Sequence, residues 1–169
     1  MTQTVTPALQ PPDPHITIRP VVLADIEALR THCWPERDAD SIYRFIVRIR
    51  QAARDGRGLG AVVLDAERET VGYGQVMLWP RCAEISDLII APEQRGNGLG
   101  TALIQYLVQA ARNMHVECLE IGAALSNPGA VNLYRRLGFR DSYTQVMPLE
   151  NGNEEVLYLR IKFARRTDR

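Results

Sequence analysis

The chain has 169 residues, 46% of them apolar, and 20 Lys and Arg balance 20 Asp and Glu to a formal charge of zero. That length and composition suit one domain with a sizeable core, and the balanced charge excludes a broad basic field, so no nucleic-acid partner is expected. No apolar run approaches the roughly 18 residues of a membrane span, and the first residues lack the basic start and apolar core of a signal peptide, so no membrane partner and a cytoplasmic location are expected.

Residues 1–14, with Pro7, Pro11, Pro12 and Pro14, read as a flexible N-terminal segment. A first strand is expected over His15 to Pro20, where apolar and polar residues alternate. A short amphipathic helix follows over Leu23 to Arg30, and Trp34-Pro35 breaks it. Ile42, Phe45, Ile46 and Ile49 then recur at helical spacing as far as Arg54, with Arg44, Arg48, Arg50 and Arg54 on a solvated face. Two strands are expected over Leu59 to Asp65 and Thr70 to Trp79, joined by the polar turn Ala66 to Glu69. Gly72 and Gly74 inside the second point to a bulge or a close backbone approach.

A further strand is expected over Glu84 to Ala91. After a glycine-rich turn, Leu99, Ala102, Leu103, Tyr106, Leu107 and Ala110 make the stripe of a helix that packs on a sheet. Val116 to Ala123 is the next strand. Asn127-Pro128 starts a helix, since asparagine caps well and proline suits the first helical position; Gly138 ends it. Tyr143 to Pro148 and Glu154 to Lys162 close the chain as a hairpin around Glu150 to Asn153, and 164–169 reads as a frayed basic tail. Cys33, Cys82 and Cys118 are odd in number and widely spaced. That pattern argues against a disulfide framework or a metal site, so each is expected as a small apolar residue and no metal is expected. His15, His32 and His115 show no ligand spacing.

The centre of the argument is the turn Arg95-Gly96-Asn97-Gly98-Leu99-Gly100-Thr101. A strand runs into it and a helix runs out, which leaves several backbone N–H groups without helical partners. The helix dipole adds positive potential there, and glycine admits positive φ and lets a bulky anion approach the backbone. The reading is a phosphate-binding turn, suited to a diphosphate. It is no Walker A loop, because no lysine follows. It is no dinucleotide fingerprint, because Thr101 stands where the third glycine or alanine belongs.

Arg95 to Gly100 resembles the R/Q-x-x-G-x-G/A acyl-CoA signature of the GNAT superfamily of N-acetyltransferases. Asn127-Pro128-Gly129-Ala130-Val131-Asn132-Leu133-Tyr134-Arg135-Arg136-Leu137-Gly138-Phe139 resembles that family's N-x-x-A-x-x-L-Y-x-x-x-G-F. The resemblance extends over about residues 15–163. It implies an α/β (α+β) acyl-CoA N-acyltransferase fold: a mixed sheet of six to seven strands, about four flanking helices, and fourth and fifth strands that splay apart to hold acyl-CoA. It implies an acetyl-CoA-dependent N-acetyltransferase acting by direct attack of a primary amine. A small molecule, a protein N-terminus and a lysine all stay open as acceptor, and a homodimer is possible on the same grounds. The alternative is a GNAT-like module that binds CoA for regulation without turnover.

On the resemblance, the diphosphate lies on the amides of Arg95, Gly96, Asn97, Gly98, Leu99, Gly100 and Thr101. The pantetheine arm pairs with the backbone of Leu88, Ile89 and Ile90, where main-chain groups supply the hydrogen bonds. Arg95 either reaches phosphate or only neutralises the loop. Asn127 caps its helix, lies near the cofactor, or does both. Tyr134 is the expected proton donor to the departing thiolate, since a phenol of pKa about 10 is protonated at neutral pH. For the base, Glu84, which opens the central strand four residues before Leu88, resembles the glutamate used in the histone-acetyltransferase branch; Ser86 shares its face and would hold a water, Asp87 is expected to point away, and Glu120 is a further candidate. Cys118 has nothing beside it in sequence to activate a thiol as acyl carrier. Trp34, Tyr43, Arg44, Trp79, Tyr143 and the 148–154 loop are the acceptor-side candidates, with plain packing open for both tryptophans.

Overall fold

The computed structural model describes residues 15–164, so the segment expected at 1–14 and all but the first residue of the tail expected at 164–169 lie outside it. The elements run in the expected order: β1 (Thr17–Pro20), α1 (Ile26–His32), α2 (Ala39–Arg54), β2 (Gly58–Leu64), β3 (Thr70–Leu78), β4 (Ala83–Ile90), α3 (Leu99–Asn113), β5 (Cys118–Ala124), α4 (Pro128–Arg136), β6 (Arg140–Leu149) and β7 (Gly152–Lys162). Seven strands form one sheet in the order β1-β2-β3-β4-β5-β7-β6. Every neighbouring pair is antiparallel except β4 with β5.

Two apolar layers sandwich the sheet. On one face Leu29, Ile42, Ile46 and Ile49 of α1 and α2 pack on Val62, Leu64 and Tyr73. On the other, Leu103, Ile104, Leu107 and Ala111 of α3 pack on Val63, Val76, Ile85 and Ile121. The buried face of α3 is wider than the predicted stripe. It includes Ile104, Val108 and Ala111, while Tyr106 and Ala110 sit at its border, because the helix lies across several strands rather than on a narrow seam. The closing hairpin is longer than predicted. Its strands run to a tight turn at Leu149↔Gly152, where Gly152 takes a φ of 110°.

β4 and β5 pair only at Ala83↔Leu119, Glu84↔Glu120 and Ile85↔Ile121. Beyond that point they separate. β4 continues against β3 alone and β5 against β7 alone, so the facing edges of both strands are unpaired. A bulge accompanies the separation. Gln75 lies opposite Ser86 while Tyr73 lies opposite Ile89, and Asp87 takes a φ of 55°. The extra residue bends the strand and re-aims its side chains. The glycines of β3 fit this place: a Cβ at Gly74 would stand 2.6 Å from Leu88 and one at Gly72 2.6 Å from Ile90.

One expectation fails here. Cys82 and Cys118 are joined by a disulfide, with Cα atoms 4.9 Å apart. They immediately precede Ala83 and Leu119, the first partners of the parallel pair, so a separation of 36 residues along the chain becomes adjacency across two strands. Spacing along a sequence carries no record of strand register. Cys33 alone of the three is a buried free thiol, as expected of a small core residue.

Candidate functional site

The turn between β4 and α3 has the predicted character. Gly96 and Gly98 take φ of 80° and 78°, a region that side chains other than glycine enter at a cost of roughly 1–2 kcal/mol. Gly98 is the N-cap of α3 and offers no side chain to cap it. The first amide to find a carbonyl is that of Ala102, bonded to Gly98 at 3.0 Å. Among the described residues, no acceptor is found for the amides of Gly96, Asn97, Gly98, Leu99, Gly100 or Thr101. Six successive donors without partners, at the positive end of a 15-residue helix, form a site for an anion with several oxygens.

The side chain of Arg95 has a partner within the protein. Its Nε donates to the Ile90 carbonyl at 3.1 Å, which braces the turn against the end of β4. One of the main-chain groups assigned to pantetheine therefore already has a partner. The rest of the outer edge of β4, from Ser86 onward, faces the gap left by β5. Asn127 caps α4 as expected, its side chain accepting from the Ala130 amide at 3.2 Å.

Tyr134 lies in α4 with 8% of its surface exposed, its ring 6.3 Å from that of Phe139. Its hydroxyl has no hydrogen-bond partner among the described residues. Nor is it one of the polar atoms sealed from solvent, of which Arg112 Nε is the only partnerless case among those residues. Burial pushes the phenol up to about 12, so the group is a donor throughout the neutral range.

Two carboxylates stand within the β4–β5 contact itself, at the end of β4 away from the glycine turn. Glu84 and Glu120 are register partners on adjacent strands. Both line an open cleft of about 430 Å³ with Trp79, Arg81, Cys82, Tyr143 and Arg160. Glu120 is engaged: Arg160 grips one oxygen through Nε at 2.9 Å and through a terminal nitrogen, and the Tyr143 hydroxyl donates to the other at 3.2 Å. Glu84 has no ion pair among the described residues. Burial raises its pKa, the Trp79 indole N–H opposes the rise, and the charges of Glu120 and Asp87 add to it. A carboxylate whose charged form is disfavoured holds a proton more firmly and is the better base.

Asp87 corrects a second expectation. At the bulge its carboxylate accepts from Ser86 Oγ at 3.0 Å and lies close enough to raise the Glu84 and Tyr73 pKa values. It therefore belongs to the Glu84 face rather than pointing away. The chain continues inward from Ser86, which accepts from Gln75 at 3.3 Å, while Gln75 accepts from the Tyr73 hydroxyl at 2.8 Å.

Of the two tryptophans, Trp79 stands 57% exposed at the cleft. Trp34 packs edge-on against Phe45 and Tyr73 beneath Arg37, so its role is packing. Sequence reading missed Arg160 and Tyr158. Tyr158 stacks on Tyr143 at 4.9 Å and covers Gly122. Both sit at the even positions of β7 that face Glu120 and Gly122 of β5, a signal that exists only once the strands are paired.

Residues 23–139 match the model of the Acetyltransferase (GNAT) family. An L-methionine sulfoximine/L-methionine sulfone acetyltransferase of Pseudomonas aeruginosa is 31% identical over 86 residues, 48% of this chain and 50% of that protein. A mycothiol acetyltransferase of Acidothermus cellulolyticus is 30% identical over 139 residues, 80% of this chain and 41% of that protein. The chain thus spans half or less of the length of these relatives. Among solved structures, a spermidine/spermine N-acetyltransferase of Vibrio cholerae superposes with a TM-score of 0.72 at 21% identity, covering 88% of this chain and 92% of that one. At that identity the likeness is one of fold. With the family model spanning both glycine-turn and tyrosine motifs, the chain belongs to the GNAT acetyltransferase family.

Proposed function

We propose that this protein transfers the acetyl group of acetyl-CoA to a primary amine by direct attack in a ternary complex. The observation that carries the reading is the run of six unpartnered amides from Gly96 to Thr101 in front of α3. They suit the diphosphate of acetyl-CoA. The unpaired edge of β4 from Ser86 to Ile90 then receives the pantetheine amides as a strand-like partner, with Leu88 and Ile89 contributing main-chain groups. The gap between β4 and β5 leads the thioester toward the cleft that holds Glu84.

The amine nitrogen attacks the thioester carbonyl, a C–N bond forms, and the C–S bond breaks. The departing thiolate takes the Tyr134 proton, which solvent replaces. The amine gives up its proton to Glu84, directly or through a water. That step matters most for a lysine-type amine of pKa about 10.4, where deprotonation at neutral pH costs roughly 4–5 kcal/mol. Support for these roles is the unpartnered hydroxyl of Tyr134 and the carboxyl of Glu84, which has no cation beside it among the described residues and is shifted upward by burial. Asn127 acts through the α4 cap that fixes Tyr134.

The cytoplasm is the proposed location; its glutathione pool holds most thiols reduced, so the Cys82–Cys118 bridge is a feature of the oxidised protein. Self-association is proposed along the edge strand β6, where Val146 is 60% and Leu149 41% exposed. The deciding experiment pairs calorimetric titration of CoA with thiol release from acetyl-CoA over a panel of amines. Micromolar CoA binding with amine-dependent thiol release is expected. Absence of CoA binding would sink the proposal, and binding without turnover on any amine would favour a regulatory module.

A further inference from the structure

The cleft beside Glu84 is electrically lopsided. Glu120 is already neutralised by Arg160 and hydrogen-bonded by Tyr143, which leaves Glu84 as a carboxylate without a cation. Arg81 lines the same cleft, is exposed, and makes no side-chain hydrogen bond or ion pair among the described residues. Its position is fixed from behind. The turn that carries it is closed by the Trp79 amide on the Cys82 carbonyl at 3.2 Å, and Cys82 is bonded to Cys118 on β5. The opening thus presents a lone acid and a lone guanidinium, with Trp79 and Tyr143, itself stacked on Tyr158, as walls.

We propose that the amine acceptor also carries a carboxylate: an amino-acid-like molecule whose nitrogen lies by Glu84 and whose carboxylate is held by Arg81. This rests on the acetyl-transfer reading above and narrows it. A guanidinium takes a carboxylate through two parallel hydrogen bonds, which gives orientation as well as attraction. A polyamine fits poorly, because its second ammonium would meet Arg81, and like charges in a partly desolvated cleft repel. The exposed indole and the tyrosine stack offer apolar contact to a side chain on the same molecule.

The test uses the full chain, acetyl-CoA and three matched acceptors: phenylalanine, its methyl ester, and phenethylamine, which lacks the carboxylate altogether. The ester is less basic and phenethylamine more basic than phenylalanine, so a preference set by amine basicity alone would rank the free acid between them. Methionine and spermidine complete the series. Free amino acids are expected to exceed both carboxylate-free analogues in kcat/KM by about tenfold or more, through KM. In Arg81→Met that ratio should fall to near one, and Arg81→Lys should restore part of it, while thermal melts check that both variants fold. Equal or better turnover of the ester, phenethylamine or spermidine overturns the inference, as does an unchanged ratio in Arg81→Met. Absence of thiol release with every acceptor, while CoA still binds, defeats the transfer reading itself.

Discussion

The sharpest prediction concerns Tyr134→Phe. The substitution removes one oxygen and leaves the ring, which packs against Phe139 at 6.3 Å. In the resting protein that oxygen bonds to nothing among the described residues, so its loss should leave the melting temperature unchanged or slightly higher. In the proposed reaction it donates to a thiolate. A hydrogen bond to a charged group is worth about 1.5–3 kcal/mol, which converts to a fall in kcat of roughly 10- to 150-fold. KM for acetyl-CoA should barely move, because the bond strengthens only as charge develops on sulfur. The pH profile adds a second check. With the phenol pushed up to about 12 by burial, no basic limb from Tyr134 should appear below about pH 10. The corresponding stability term is present below the unfolded pKa near 10 and is lost as pH climbs toward 12. The measurement is continuous thiol release at saturating amine across pH, beside a thermal melt. A variant within twofold of the parent in kcat refutes the role, as does a parental basic limb near pH 9 that the variant lacks.

Glu84→Gln should lower kcat by about 100-fold with a lysine-type acceptor. It should also abolish the acidic limb of kcat/KM, a limb that falls as pH drops through the raised Glu84 pKa; an acidic limb that persists points to another base. Gly98→Ala meets no neighbour within 4 Å but must hold a φ of 78°, a strain of roughly 1–2 kcal/mol. Its relief should swing the amides aside, so calorimetry should record weaker CoA binding with only a small loss of melting temperature. Reduction of the Cys82–Cys118 bridge releases a loop spanning 36 residues, which in the chain-entropy model is about 4 kcal/mol, or roughly 8–15 °C in melting temperature. Identical melts with and without dithiothreitol, together with three titratable thiols in the oxidised sample, would show that the bridge does not form. Asp25→Ala removes an acceptor that is 4% exposed and takes bonds from Arg19, Val22 and Thr70, at a cost of about 3 kcal/mol by denaturant titration. Burial raises the Asp25 pKa, but those bonds outweigh it and hold the carboxyl below its ordinary value. Its contribution is therefore present above about pH 4 and lost as pH falls through the depressed pKa.

What the sequence made legible was whatever is written in local chemistry. The β4–α3 turn could be read because the requirement is local: positive φ at Gly96 and Gly98, and amides that no helix can use. The α4 start could be read because Asn127 and Pro128 act on their own helix. The acceptor side was poorly legible because it is assembled by register. Glu84 meets Glu120 across a parallel pair, Glu120 meets Arg160 across an antiparallel one, and Cys82 meets Cys118 at the mouth of both. Each of those partners looks ordinary in its own segment. The misplacement of Asp87 has the same origin in reverse. Alternation along β4 assigns it to the wrong side, and one bulged residue restores it to Ser86 and Glu84. The bulge itself leaves a trace in sequence, since Gly72 and Gly74 of β3 are the residues that let Leu88 and Ile90 approach. Glycine in a strand thus marked the bulge beside which β4 parts from β5, the edge proposed to receive the thioester arm.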